Sequence, residues 1–200
     1  MRYKDMKYAV KLLEAEWDLG KKECGASGNI CAWIYLMEIL EETEQFVYYR
    51  ENDELIGFAG YSKSSSKKYI LKKKLYSFIK KRLYKSKKIK DLEALTNYEC
   101  NYNYLPSNME NYFDGEVSIL ILDKTYRGKG IGKELLLQVF DLAKKDGMKN
   151  IQILTDESCN WQFYEKLGCK KVYETIVENK EYGKLDNITT EQAFIYEKKL

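Results

Sequence analysis

Tyr126-Arg127-Gly128-Lys129-Gly130-Ile131-Gly132-Lys133-Glu134-Leu135 follows an apolar, strand-like run from Val117 to Leu122 and leads into an apolar stretch of helical period. Three glycines between a strand and a helix let backbone N–H groups approach an anion with no Cβ in the way. The spacing predicts a cradle for a diphosphate. Two familiar phosphate loops do not fit it. A Walker loop needs four residues between its first glycine and the Gly-Lys pair, then Ser or Thr for magnesium; here Gly128 and Gly132 enclose three, and Glu134 follows Lys133. A dinucleotide fingerprint needs G-x-G-x-x-G, and Gly128-x-Gly130-x-Gly132 is one residue short.

The flanking chain extends the pattern. Ile131, Leu135, Val139 and Leu142 recur at helical spacing, Leu136 and Ala143 widen the stripe, and Gly147 suits a C-terminal cap. Ile151 to Leu154 reads as a short buried strand. A second helix is expected from about Asn160 to Gly168, carrying Trp161, Phe163, Tyr164 and Leu167.

These residues carry a resemblance. R-x-x-G-x-G, from Arg127 to Gly132, resembles the acyl-CoA pyrophosphate loop of the GNAT superfamily of N-acetyltransferases. Phe163-Tyr164-Glu165-Lys166-Leu167-Gly168-Cys169 is similar to that family's second signature, F-Y-x-x-x-G-F. The resemblance is good from about Glu116 to Tyr173 and holds elsewhere in outline. It departs at Lys124, where proline is common, and at Cys169, where phenylalanine is common.

The resemblance implies an α/β fold, with a central, mostly antiparallel, twisted sheet splayed at the acyl-CoA site and flanked by helices. It implies acetyl-CoA as co-substrate, an amine acceptor and no metal. Carried over residue by residue, Leu120, Ile121 and Leu122 offer backbone groups to the pantetheine arm. Arg127, Gly128, Lys129, Gly130, Ile131, Gly132 and Lys133 surround the pyrophosphate. Tyr164 protonates the departing sulfur, and Asn160 hydrogen-bonds the arm. Glu116 is the candidate base, against a water relay, and shares a strand face with Ser118, Leu120 and Leu122.

Composition agrees and excludes. The 200 residues, 44% hydrophobic, suit one domain over 1–200 with a sizeable core. No apolar run reaches membrane-span length, and the N-terminus lacks a signal-peptide core, so a cytoplasmic protein is expected. Five cysteines without C-x-x-C spacing favour reduced thiols over disulfides or zinc. With no histidine, the serine and cysteine triads, H-E-x-x-H zinc sites and histidine-ligated deaminases are all excluded. Acyl transfer from a thioester to an amine needs none of these.

Earlier in the chain, Met6, Val10, Leu13 and Trp17 form one helical stripe. Ile30, Trp33, Ile34, Met37 and Leu40 form a second, expected to stop at the acidic pair Glu41-Glu42, with a glycine-punctuated loop from Gly20 to Asn29 between them. Phe46 to Tyr49 and Leu55 to Tyr61 read as a hairpin turning at Glu51 to Glu54. A first strand before the first helix is barely accommodated by Met1 to Tyr3.

An insertion is expected at about 62–114, with Ile70, Leu71, Leu75, Phe78, Ile79 and Leu83 on one helical face. From Tyr61 to Lys90 stand thirteen basic residues and no acidic one, leaving 21 basic against 31 acidic elsewhere. A solvated helix face is the leading reading of these lysines. Binding to nucleic acid or the ribosome is the alternative, as is a non-catalytic acyl-CoA-binding or regulatory module. A homodimer stays open, and the acceptor's identity is not legible.

Overall fold

The computed structural model describes residues 1–17, 29–64, 70–89, 106–109, 111–180 and 188–200. The loop expected at 20–29 therefore lies, apart from Asn29, outside the described residues, as does most of 90–110.

Helices α1 (Tyr3–Trp17) and α2 (Ile30–Glu42) come first, then the hairpin β1 (Gln45–Glu51) and β2 (Glu54–Lys63), helix α3 (Ile70–Tyr84) and strand β3 (Gly115–Leu122). Helix α4 (Ile131–Lys145), strand β4 (Asn150–Asp156), the short helix α5 (Gln162–Lys166) and strands β5 (Lys170–Lys180) and β6 (Ile188–Lys199) complete the order. One six-stranded sheet runs β1-β2-β3-β4-β6-β5. All neighbours are antiparallel except β3 and β4, which the α4 crossover joins as a parallel pair.

Strand alternation sorts the core onto the two sheet faces. Leu55, Phe58, Ile119 and Ile121 pack against α1 and α2 through Val10, Leu13, Ile34 and Leu40. Val47, Ala59, Tyr61, Ile151 and Ile153 pack on the other face against Ile131, Leu135, Leu136 and Val139 of α4. The β1–β2 turn has Asn52 and Asp53 at φ of 49° and 63°, the left-handed pair that matches strand twist in a two-residue hairpin.

Tyr3 already opens α1, in keeping with how little room the sequence leaves for a strand before it. Three expectations are corrected. Helix α2 runs through Glu41-Glu42 to a cap at Thr43, whose N–H donates to the Ile39 carbonyl at 2.9 Å. Acidic residues oppose the negative end of a helix dipole, but Lys80 lies 3.5 Å from Glu38 and 3.3 Å from Glu41, and Lys73 lies 3.2 Å from Glu44. The six apolar residues of α3 do not share one buried face. Ile79 and Leu83 pack with Tyr76 against the α1–α2 cluster, whereas Ile70, Leu71, Leu75 and Phe78 are exposed, because 71, 75 and 78 fall on a different helical side from 76, 79 and 83. Lastly, Cys31 is disulfide-bonded, while Cys159 and Cys169 are free. No helix among the described residues is long and apolar enough to cross a membrane.

Candidate active site

Strand β3 positions the site. Its residues alternate, with Val117, Ile119 and Ile121 buried and Glu116, Ser118, Leu120 and Leu122 on the opposite, partly open face. Two irregularities interrupt it. Against β2 the register jumps from Gly60–Ile119 to Tyr61–Val117, leaving Ser118 as the extra residue of a bulge. Against β4 the only paired residues are Glu116 and Gln152. Beyond that pair the two parallel strands part, so β3 from Val117 onward has no ladder partner on its β4 side. Gly115, at the start of β3, has no room for a side chain: a Cβ there would stand 2.2 Å from the Ser62 carbonyl oxygen.

The gap opens onto a cavity of about 490 Å³. Glu116, Ser118 and Leu120 of β3, Thr155 and Asp156 of β4, and Cys159 and Tyr164 beyond it form one side. Trp17 of α1 and Tyr35, Glu38, Ile39 and Glu42 of α2 form the other. Thr43 Oγ1 lies 2.7 Å from Ser118 Oγ, tying the end of α2 to the bulge.

Tyr164 is carried by α5. The ring lies 5.5 Å from Phe163 and 5.8 Å from Tyr196, which in turn donates to Glu165 at 3.0 Å. Its carbonyl accepts from Leu167 and Cys169, closing the helix at Gly168, whose φ is +72°. Burial, then Cys159 and Cys169, pushes the Tyr164 hydroxyl above its ordinary range, with Thr155 opposing. It therefore keeps its proton at neutral pH. Burial pushes the Cys169 thiol up to about 11, consistent with a small packed residue and not a nucleophile.

Four carboxylates line the cavity, those of Glu38, Glu42, Glu116 and Asp156. Glu116 accepts from Gln152 Nε2 at 2.9 Å; burial raises its pKa and that hydrogen bond opposes the rise. Glu42 keeps access to solvent through the open cleft yet is pushed up to about 7, by the surrounding protein first, then by Glu38 and Glu116, against the pull of Lys80. Glu42 has no ion-pair or hydrogen-bond partner among the described residues. From sequence, the Glu-rich end of α2 (Glu38, Glu41, Glu42, Glu44) is a candidate acidic wall for a cationic acceptor. The i, i+4 spacing of Glu38 and Glu42 was readable, but the cleft they share with Glu116 is tertiary.

The glycine loop follows β3 through a single 3-10 turn, Lys124–Tyr126, which Asp123 caps by accepting from Thr125 N–H at 2.8 Å. Gly128 and Gly130 adopt φ of +79° and +82°, and space is open where their Cβ atoms would be. Gly130 is the N-cap of α4. Among the described residues no protein acceptor takes the N–H groups of Gly128, Lys129, Gly130, Ile131, Gly132 or Lys133, and they cluster at the positive end of a fifteen-residue helix. The charged side chains are engaged differently. Arg127 pairs with Glu16 of α1 at 2.6 Å, and Lys129 lies over the Tyr126 ring at 4.5 Å. Ile121 is buried in the core, Leu122 and Asn160 lie outside the cavity lining, and Asn160 is exposed, its carbonyl accepting from Phe163. Cys159 lines the wall next to Asn160. Among the described residues no cluster of metal-binding side chains occurs.

Residues 94–169 match the model of the Acetyltransferase (GNAT) family. A curated relative, glucosamine 6-phosphate N-acetyltransferase of Trypanosoma brucei brucei, is 33% identical over 54 residues, covering 27% of this chain and 36% of the relative. The matched stretch thus spans about a third of that relative's length. Among solved structures, PH1933 of Pyrococcus horikoshii OT3 aligns over 100% of this chain and 94% of its own at 19% identity, with a TM-score of 0.59. The smu.2055 protein of Streptococcus mutans UA159 aligns over 100% and 96% at 15% identity, with a TM-score of 0.57. The parted β3–β4 pair, the glycine loop capping α4 and the matched segment agree with one another: over residues 94–169 the chain is similar to the GNAT acetyltransferase family.

Proposed function

We propose that the protein is an N-acetyltransferase that moves an acetyl group from acetyl-CoA to a primary amine in a ternary complex, as a single domain over 1–200 with an insertion at about 62–114, in the cytoplasm. The observation that carries this reading is the single Glu116–Gln152 pair between β3 and β4, beyond which the strands part over a cavity that holds a protonated tyrosine and carboxylates together.

The coenzyme's pyrophosphate sits on the amides of Gly128 to Lys133, where backbone donors and the α4 dipole favour a doubly charged group. Arg127, engaged by Glu16, contributes little unless it turns away. The pantetheine arm runs along β3, pairing with the main chain that β4 leaves free.

An alkylammonium of pKa near ~10 must lose a proton before it attacks. Glu116, buried and held by Gln152, takes that proton, directly or through one water. The nitrogen then bonds to the thioester carbonyl carbon and releases its second proton to water, the carbon–sulfur bond breaks, and Tyr164 gives its proton to the thiolate and regains one from solvent. An N–H of the freed β3 edge faces the oxyanion formed between these steps.

The Trypanosoma relative is named for a phosphorylated amino sugar. In this chain Glu38, Glu42, Glu116 and Asp156 line the cavity and no lysine or arginine does so among the described residues, so an acceptor without a phosphate is the better fit. Incubation with acetyl-CoA and a panel of amines, following release of free thiol, tests the proposal. Turnover that falls in Tyr164→Phe with unchanged CoA affinity is expected; equal turnover under chemistry-limited conditions would remove Tyr164 from its role.

A further inference from the structure

We propose that the acceptor is a dication, an alkyl amine carrying a second positive group a few carbons from the reacting nitrogen. The second charge is held between Glu38 and Glu42 of α2 and the Trp17–Tyr35 aromatic pair. The inference rests on the transferase reading and names its substrate class.

Four features of the cleft point the same way. Glu38 and Glu42 stand four residues apart and so on the same side of α2, and both line the cavity with Glu116. Their mutual repulsion and that of Glu116 are felt at Glu42, which no cation of the protein pairs with among the described residues; a bound cation relieves it. Lys80 pairs directly with Glu38 and Glu41, at 3.5 and 3.3 Å, and offsets the charge at Glu42 only in part. The wall is also the last turn of α2, whose free carbonyls add the negative end of a helix dipole.

The aromatic pair is the second, independent element. Trp17 and Tyr35 meet edge to face with centroids 5.5 Å apart, and both line the cavity beside the carboxylates. Aromatic faces next to carboxylates hold an ammonium by combining charge with the ring quadrupole. A neutral or anionic tail gains nothing here and meets the charge of Glu42. Glu116 and Glu42 line the same cavity of about 490 Å³, so the two ends of the acceptor are a short chain apart.

The test compares 1,4-diaminobutane, butylamine and 4-aminobutyrate, which share a four-carbon chain and differ in the far group. For the wild-type protein, kcat/KM for the diamine should exceed that for butylamine by about tenfold or more, chiefly through KM, with 4-aminobutyrate the poorest. Glu42→Gln and Glu38→Gln should each shrink the diamine-to-butylamine ratio, and Glu42→Lys should move the preference toward 4-aminobutyrate. Calorimetric titration of 1,4-diaminobutane into the CoA-bound protein gives a readout that needs no turnover, and Glu42→Gln should weaken that binding. Turnover of butylamine with no diamine advantage overturns the inference and leaves the transferase standing. Saturable diamine binding without turnover of any amine overturns the transferase reading and supports the cation site. Neither turnover nor diamine binding overturns both.

Discussion

The two ends of strand β3 meet helices of opposite polarity, and they are built from different material. At its C-terminal end the chain turns into α4 through Gly128 and Gly130, and what faces outward is main chain: amides without acceptors at a positive helix end. At its N-terminal end β3 lies against the last turn of α2, and what faces outward is side chain: Glu38, Glu42 and the Trp17–Tyr35 pair at a negative helix end. The first end suits an anion, the diphosphate of the proposed co-substrate. The second suits the cationic amine proposed as acceptor. A backbone site tolerates change in neighbouring side chains, whereas a side-chain site is respecified by one substitution.

Breaking the chemistry between the two ends should give the largest effect. Tyr164→Phe should lower kcat by about 100-fold, in the range of a lost general acid, with CoA affinity intact by calorimetry. A fall of less than about threefold would show that the thiolate leaves without this proton.

Next in size is damage to the backbone end. Gly130→Val places a branched side chain at φ +82°, at a cost of about 1–2 kcal/mol in strain, and puts its methyls into the open space before the loop amides. CoA affinity should fall by tens-fold or more, while amine selectivity is unchanged. Loss of stability without loss of CoA affinity would move the phosphate elsewhere.

The side-chain end should answer to pH. Glu42 is pushed from an ordinary 4.5 to about 7, so the folded chain holds its proton where the unfolded chain has released it. Folding stability should then decline as pH rises from about 4.5 to 7, and Glu42→Gln should flatten that slope in urea midpoints measured across the range. A cation binds the ionised form, so diamine affinity should rise with pH through about 7. The groups facing Glu42 are Glu38 and Glu41 on its own helix, Lys80 from α3 and Glu116 from β3. An unchanged slope in Glu42→Gln would show that Glu42 is not the group that titrates.

Smallest is Arg127→Ala. Because Glu16 already holds the guanidinium, CoA affinity should drop less than about threefold. A loss of tens-fold would mean that Arg127 leaves Glu16 on binding, and that side-chain charge matters at the glycine-loop end.

The same contrast explains what could be read from residues alone. The β3–α4–β4–α5 unit was legible because glycine spacing marks left-handed backbone and apolar period marks the helix, both local signals. Tyr164 and Glu116 could be placed on their elements for that reason. The Ser118 bulge and the parting of β3 from β4 were not legible, since a register depends on partners distant in sequence. Helix α2 was expected to stop at Glu41-Glu42, and it was the approach of Lys73 and Lys80 from α3 that let it continue and bring Glu42 into the cleft. For α3 itself, hydrophobic content without attention to angle put Leu71 and Leu83 on one face. The long β5–β6 pair carries charges along both strands and gave no clean alternation to read.

The most direct measurement is a calorimetric comparison of CoA with pantetheine, which lacks the diphosphate. One saturable CoA site per chain is expected, with pantetheine weaker by about 100-fold or more, because the main-chain donors of Gly128 to Lys133 supply most of the attraction. Equal affinity for the two, or no saturable CoA binding, would contradict a backbone-built diphosphate cradle at the start of α4.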